Sequence, residues 1–326
     1  METKVSYDAL GNIISEEDPT GAVTKYQYNA ESLLTKVTYA NNASQTVAYD
    51  LAGNAIRETD AEGNTKKYIY DEVNRLTGVT DELGNTTSYA YDAFDNIARV
   101  TDALGHVTEY TYDTNGNLLS ETDALGNTVK YSYTPEGWLE QVTKADGNVI
   151  RFEYDKTGSL LKQDAGKGYT VTSSYNELGQ VTEVSSQEGT ITYQYNDLGR
   201  LVSVTNVNGD KVSFTWDEYG NKTGMVYPDG REVRYTYDIM DHMTEVTGLD
   251  GEVTRYAYDA AGRRILTENA ENTTTYEYDL IGSLIRQETT GAGAVTFTYG
   301  YNKNGYITNL HSRAIITGSR HKVSAG

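Results

Sequence analysis

The chain reads as all-β: a repeat array of antiparallel β-hairpins forming a curved, spiralling ribbon that leaves a hollow interior, a partial shell. Three observations predict this. A Tyr followed by an acid or amide returns on a fixed period along almost the whole chain. Each period holds two turn signals of the Asp-x-x-Gly type. Short segments rich in Thr, Tyr and Val with period 2 lie between the turns.

The period comes first because it overrides the domain count that length alone suggests. The Tyr falls at Tyr7, Tyr28, Tyr49, Tyr70, Tyr91, Tyr112, Tyr133, Tyr154 and Tyr175, 21 residues apart each time. Small slips follow at Tyr195, Trp216, Tyr237, Tyr258, Tyr278 and Tyr301. About fifteen repeats of 20–23 residues therefore fill residues 1–306, and 307–326 read as a basic tail outside the array. Self-similarity at such a period marks an array that grows by adding neighbours, with no single private core.

The turns come next. In the Tyr112 repeat, YDTNGNLLSETDALGNTVKYSY, Asp113 opens one turn and Asp123 the other. Asp at the first turn position accepts from the backbone two residues on, and Gly at the fourth takes φ > 0. The first-turn Gly is replaced by Ser32, Asn74, Asp95 and Asp241. Asn42 and Asn272 stand in at the second turn. Asn and Asp are the side chains that best tolerate φ > 0, so the exchanges point to geometry.

The strands complete the unit. Thr108-Glu109-Tyr110-Thr111-Tyr112 alternates and has high β propensity. The returning strand carries apolar residues six and nine after the Tyr, as at Ile97 and Val100. That spacing of three breaks alternation, so a bulge is expected to bring both to one face. Helices of ordinary length do not fit between turns placed about ten residues apart. Two strands per repeat give about thirty, extending roughly 140 Å at ~4.8 Å each. Closed on itself, such a ribbon is about 45 Å across, and side chains fill barrels only up to about eight strands. Water or cargo must occupy the inside.

Composition fits a thin, partly wet wall. Leu, Ile, Val and Phe total 63 of 326 residues, whereas Tyr alone contributes 29. Tyr joins a large apolar ring to a hydroxyl that tolerates water. The net charge is -20, concentrated in the first 250 residues, which disfavours nucleic acid and anionic membranes as partners. No cysteine is present, so disulfides and Cys-based sites are excluded. The opening METKVSYDAL has no apolar h-region and does not read as a secretion signal. No stretch approaches the ~18 apolar residues of a membrane-spanning helix. The array starts mid-stride, as expected of a piece of a longer protein.

The candidate chemistry is sparse. His106, His242, His311 and His321 show no metal-ligand spacing, and the first two sit where sister repeats carry polar turn residues. Carboxylates such as Glu16-Glu17-Asp18 recur without singling out a pair for acid-base work. Neither an EF-hand loop nor a phosphate-cradling Gly-rich loop occurs. The reading therefore names no catalytic, cofactor-binding or metal residue, and no cofactor. The Tyr ladder reads as the wall's own packing, with stacking of sugars as the alternative.

The unit YDxxGNLxxxTDxxGNTxxYxYD, nearly verbatim from Tyr112 to Tyr133, resembles the YD repeat of the bacterial Rhs family. Toxin-complex shell subunits and animal teneurins share that repeat. The resemblance covers roughly residues 5–306 and implies a β-sheet spiralling into a hollow shell around a toxic C-terminal domain. It implies a secreted or cell-surface setting in bacterial competition. A structural segment without catalysis of its own is expected, with an enclosed toxin or neighbouring shell segment as partner. The alternative is a surface adhesin that binds glycans or protein. The family's DPxGLxDG-like core motif has no counterpart after Tyr306, so no toxin or cleavage residue carries over.

Overall fold

A computed structural model describes residues 3–314. It contains thirty strands and no helix among those residues, and the strands are antiparallel members of one sheet. They run from Lys4–Tyr7 and Ile13–Glu17 to Val295–Tyr301 and Ile307–Ala314. The last strand occupies the first eight residues of the segment read as a tail, paired to its neighbour from Val295↔Ala314 to Tyr301↔Ile307. Residues 315–326 lie outside the described residues. The chain divides into two compact parts at Thr65/Lys66 and Glu232/Val233, the first built from both outer segments.

Most of the hairpins close the same way. Gly116 N–H donates to the Asp113 carbonyl (3.1 Å), and Asp113 N–H donates to the Asn117 carbonyl (2.9 Å). Gly116 sits at φ 83°. This is a four-residue turn whose last residue is left-handed, which returns the strand with its twist. Ser32, Asn74, Asp95, Asp241 and Asn42 adopt φ between 60° and 66°, as the exchange pattern predicts. Asn272 corrects that pattern: it begins strand Asn272–Tyr278 and is not at positive φ. The interval from Tyr258 to Tyr278 is one residue short, and the loop closes earlier, by Asn269 N–H to the Asn272 carbonyl (3.0 Å).

The expected bulge is present. Tyr91 faces Ile97 and Tyr89 faces Val100, with the register shifting between Ile97 and Arg99. The extra residue turns both apolar side chains toward the face that carries the two Tyr. The same shift recurs at Tyr112/Leu118, Tyr133/Leu139 and Tyr154/Leu160. The opposite hairpins keep straight register, as at Arg99↔Glu109 and Thr101↔Val107.

A thick core is missing. Among the described residues only Ala43, Ala61, Gly78, Ser203 and Gly224 are buried, and no large side chain is fully so. The Tyr of the repeated pair are half-buried along the strands. Stability therefore rests on the ladder, the corners and cross-strand packing between neighbours.

Replacing Gly116 with Val should cost about 1–3 kcal/mol, because a β-branched residue rejects φ > 0. Gly116→Asn should be nearly neutral, given Asn74 at φ 66° in the same place. Hydrogen exchange at Val107–Tyr112 and Leu118–Thr122 reads both; equal protection in the Val variant would refute the assignment.

Candidate functional site: the tyrosine face and the turn margins

The second Tyr of each pair does more than pack. Tyr112 Oη donates to the Ile97 carbonyl (3.0 Å), Tyr133 to Leu118 (2.9 Å) and Tyr154 to Leu139 (2.8 Å). The bond always reaches the returning strand of the preceding repeat. The register between those strands ends at Arg99↔Glu109, two residues short of Ile97. The phenol thus takes a carbonyl that the ladder does not reach. Trp216 fills a Tyr position and keeps the bond, Nε1–H to the Leu201 carbonyl (2.8 Å). Partial burial pushes the Tyr112, Tyr133 and Tyr154 phenols up from their usual range, which keeps them protonated donors.

The turn Asp is equally committed. Asp113 Oδ1 accepts from the Asn115 and Asn117 amides (2.8 and 2.9 Å), and Oδ2 accepts from Asn117 Nδ2 (2.9 Å). Asn117 follows the corner glycine, and Asn12, Asn54 and Asn96 make the same side-chain bond to their own turn Asp. These bonds, the Asn117 side chain first, hold the Asp113 carboxyl below the ordinary carboxylate range. Asp155 lies lowest, at about 2, chiefly through the Thr157 hydroxyl.

The position after the corner glycine also links repeats. Arg75 occupies it with Nε on Asp71 (2.7 Å) and Nη1 on Asp95 of the next turn (2.6 Å). Its guanidinium lies over the Tyr91 ring at 4.7 Å. Arg263 repeats this with Asp259 and the Tyr278 ring at 4.8 Å. Gln180 Nε2 donates to the Gly199 carbonyl (2.7 Å). Trp138 lies beneath the next corner so closely that a Cβ on Gly158 would stand 3.0 Å from its ring. Glycine there serves close approach as well as φ.

The sequence-picked residues fall into these roles. His106 and His242 sit at that linking position, with Nδ1 2.8 Å from Asp102 and 3.2 Å from Asp238. His242 stacks on Tyr258 at 4.8 Å. His311 is exposed in the last strand, and His321 lies outside the described residues. Glu17 pairs with Lys4 (2.9 Å), Glu16 accepts from Tyr26 Oη (3.3 Å), and Asp18 caps its own turn through Thr20 N–H (2.7 Å). These carboxylates are not brought together, and no group of three His, Cys, Asp or Glu is placed to hold a metal among the described residues.

One contact spans the sequence inside the discontinuous part. The turn Asn302–Gly305 seats on the turn Asp60–Gly63. Asn304 Nδ2 donates to Asp60 Oδ2 (2.6 Å), and its Oδ1 accepts from Ala61 N–H (2.9 Å). Lys303 N–H donates to Glu62 Oε1. The contact leaves Ala61 only 9% exposed. Elsewhere in the same part, Pro19, Met240, His242, Tyr256 and Tyr258 line a cleft of about 650 Å³.

The Tyr bond, the Asn link and the Asn304 contact were not foreseen. Only the Asn left a trace, as Gly-Asn recurring in both turns.

Comparison with known families rests on the same repeats. The RHS Repeat model matches residues 7–44, 49–86, 70–107, 91–128 and 112–149, and the Teneurin YD-shell model matches 163–267. The chain belongs to the YD-repeat family of Rhs-type proteins. Solved structures agree on the fold of this YD-repeat chain. It is similar to the TcdB2-TccC3-TEV crystal structure, with TM-score 0.61 and 15% identity over 96% of the chain. It is similar to the Photorhabdus luminescens Tc holotoxin pore at TM-score 0.61 and 16% identity, again over 96%. TcdB2-TccC3 without its hypervariable C-terminal region matches at 0.60 and 17% over 96%. The YD-repeat chain spans 23%, 21% and 21% of those three chains. No curated protein matches it.

Tyr133→Phe should lower stability by about 1 kcal/mol, the net value of one hydrogen bond. Denaturant midpoints of the two proteins measure this, and identical midpoints would count against the bond.

Acid should unfold the array. The turn carboxyls have folded pKa values below their unfolded ones, so their contribution is complete above the unfolded carboxyl range. It is lost as pH falls through the folded values, down to about 2 at Asp155. Melting temperature should therefore be flat near neutrality and fall steadily below about pH 4; a flat acid limb would contradict the turn bonds.

Proposed function

We infer that the chain is a structural wall segment of an Rhs-type toxin, secreted or displayed at a cell surface, which encloses or presents a cargo polypeptide and performs no catalysis itself. One observation carries the reading. The sheet presents a face of paired Tyr that is half-buried, while only five described residues, all of them small, are buried at all. A surface of this kind is apolar enough to lie against an unfolded chain and hydroxylated enough to stay wet without one. The likeness in fold to toxin-complex proteins supports a toxin setting. Competition between bacteria is the use that fits an Rhs-type repeat.

A second reading rests on the cleft of about 650 Å³. Its rings, Tyr256, Tyr258 and His242, offer a stacking platform of the kind that holds a sugar in an adhesin.

Hydroxyl-radical footprinting separates the two. With a reduced, unfolded polypeptide as the probe, Tyr110 and Tyr131 should lose reactivity while the turn-tip Leu104 keeps it. Unchanged Tyr reactivity, or nuclease or glycosidase turnover by the purified chain, would overturn the wall reading. Protection confined to Tyr256 and Tyr258 by an oligosaccharide would favour the adhesin.

A further inference from the structure

The seat of Asn304 has a chemistry that is not special to its place. Within a closed Asp-x-x-Gly turn, the N–H after the Asp is left to point outward, since the turn's own bonds use the amides of the third, fourth and fifth residues. Beside it, the outer carboxylate oxygen has one partner, Asn64 Nδ2 (2.9 Å), and room for another. A donor and an acceptor side by side match a primary carboxamide, which offers the complementary pair on one planar group. Asn304 fills that pair at 2.9 and 2.6 Å.

The continuous part repeats both halves. Asp123-Ala124-Leu125-Gly126-Asn127 has the same Asp, Ala, Gly and Asn as Asp60-Ala61-Glu62-Gly63-Asn64. Its carboxylate is arranged identically, with Oδ1 on the Leu125 and Asn127 amides and Oδ2 on Asn127 Nδ2. Where Ala61 is covered, Ala124 is exposed, and Leu125 beside it is 87% exposed. The complementary half is Asn115. It stands at the third position of the turn Asp113–Gly116, as Asn304 does in Asn302–Gly305, and its side chain is exposed. Apart from these two, no first turn in the chain places Asn there.

We propose that the Asp123–Gly126 turn is a carboxamide receptor, and that its occupant is the Asn115 turn of a second copy of this chain. The two turns lie on opposite margins of the ribbon, because first and second turns alternate along an antiparallel meander. They cap the two ends of a single strand, Leu118–Thr122, so one copy cannot bring its own pair together. The contact between copies is therefore head-to-tail, and head-to-tail contacts that do not close add copies without limit. Leu125 supplies apolar area where Glu62 supplies a charged acceptor in the internal contact. Association through the Asp123 turn is accordingly less dependent on salt than a contact of charged pairs.

Sedimentation of the purified chain across a wide concentration range tests this. The weight-average mass should climb steadily from 36.0 kDa without a plateau at the dimer. Asn115→Asp places a carboxylate against Asp123, and Asn115→Leu removes both polar atoms. Each should weaken association about tenfold or more, the worth of two lost hydrogen bonds. Because Asn115 is an exposed tip, far-UV spectra should be unchanged. The chain has no cysteine, so single-cysteine variants Asn115→Cys and Leu125→Cys can be mixed and oxidised. A mixed disulfide should form, and Lys156→Cys in place of Asn115→Cys should give none. A constant 36.0 kDa at every concentration, equal association of the Asn115 variants, or equal cross-linking by the Lys156 control would each overturn the proposal.

Discussion

Chain reversal in four residues, made about every ten, is the constraint on which this molecule depends. A strand of five or six residues cannot stand alone, and its ladder partners arrive only if the turn delivers them in register. The corner residue at positive φ does this, and the Asp that opens the turn holds it with three bonds, as Asp113 does. Where glycine is lost, the replacement is Ser, Asn or Asp at nearly the same φ. Backbone geometry is kept while the side chain varies.

Given that corner, the remaining problem is a sheet with almost no dry interior. A layer of Leu and Val would be costly to leave half exposed, and a polar layer would not pack. Tyr resolves the conflict because its ring covers the neighbouring strand while its hydroxyl finds a carbonyl beyond the ladder's reach, as Tyr112 does at Ile97. The substitution by Trp216 is instructive: ring size and shape change, but an N–H donor still meets the Leu201 carbonyl. The donor, more than the ring, is what the position retains.

The period, the corners and the strands could be read from the sequence because each is local. Tyr91, Ile97 and Val100 announce a bulge by their spacing alone, and the register shows it. Asn272 misled for the same reason. It looks like a corner amide until the missing residue of its repeat is counted, and it begins a strand. Strand Ile307–Ala314 was missed because its residues do not follow the repeat pattern, although its pairing continues. The Asn link needed a side-chain direction that a one-dimensional pattern does not carry. The Asn304–Asp60 contact joins residues hundreds of positions apart, and no spacing rule anticipates it.

The linking position after the corner has a further meaning. It accepts Asn, Arg, Gln, His or Trp, and each reaches no farther than its own turn or the next. A tandem duplication therefore inserts a module whose every bond is already specified by the copies on either side. Array length becomes something that unequal recombination can alter freely, with the sheet growing or shrinking in steps of one hairpin pair.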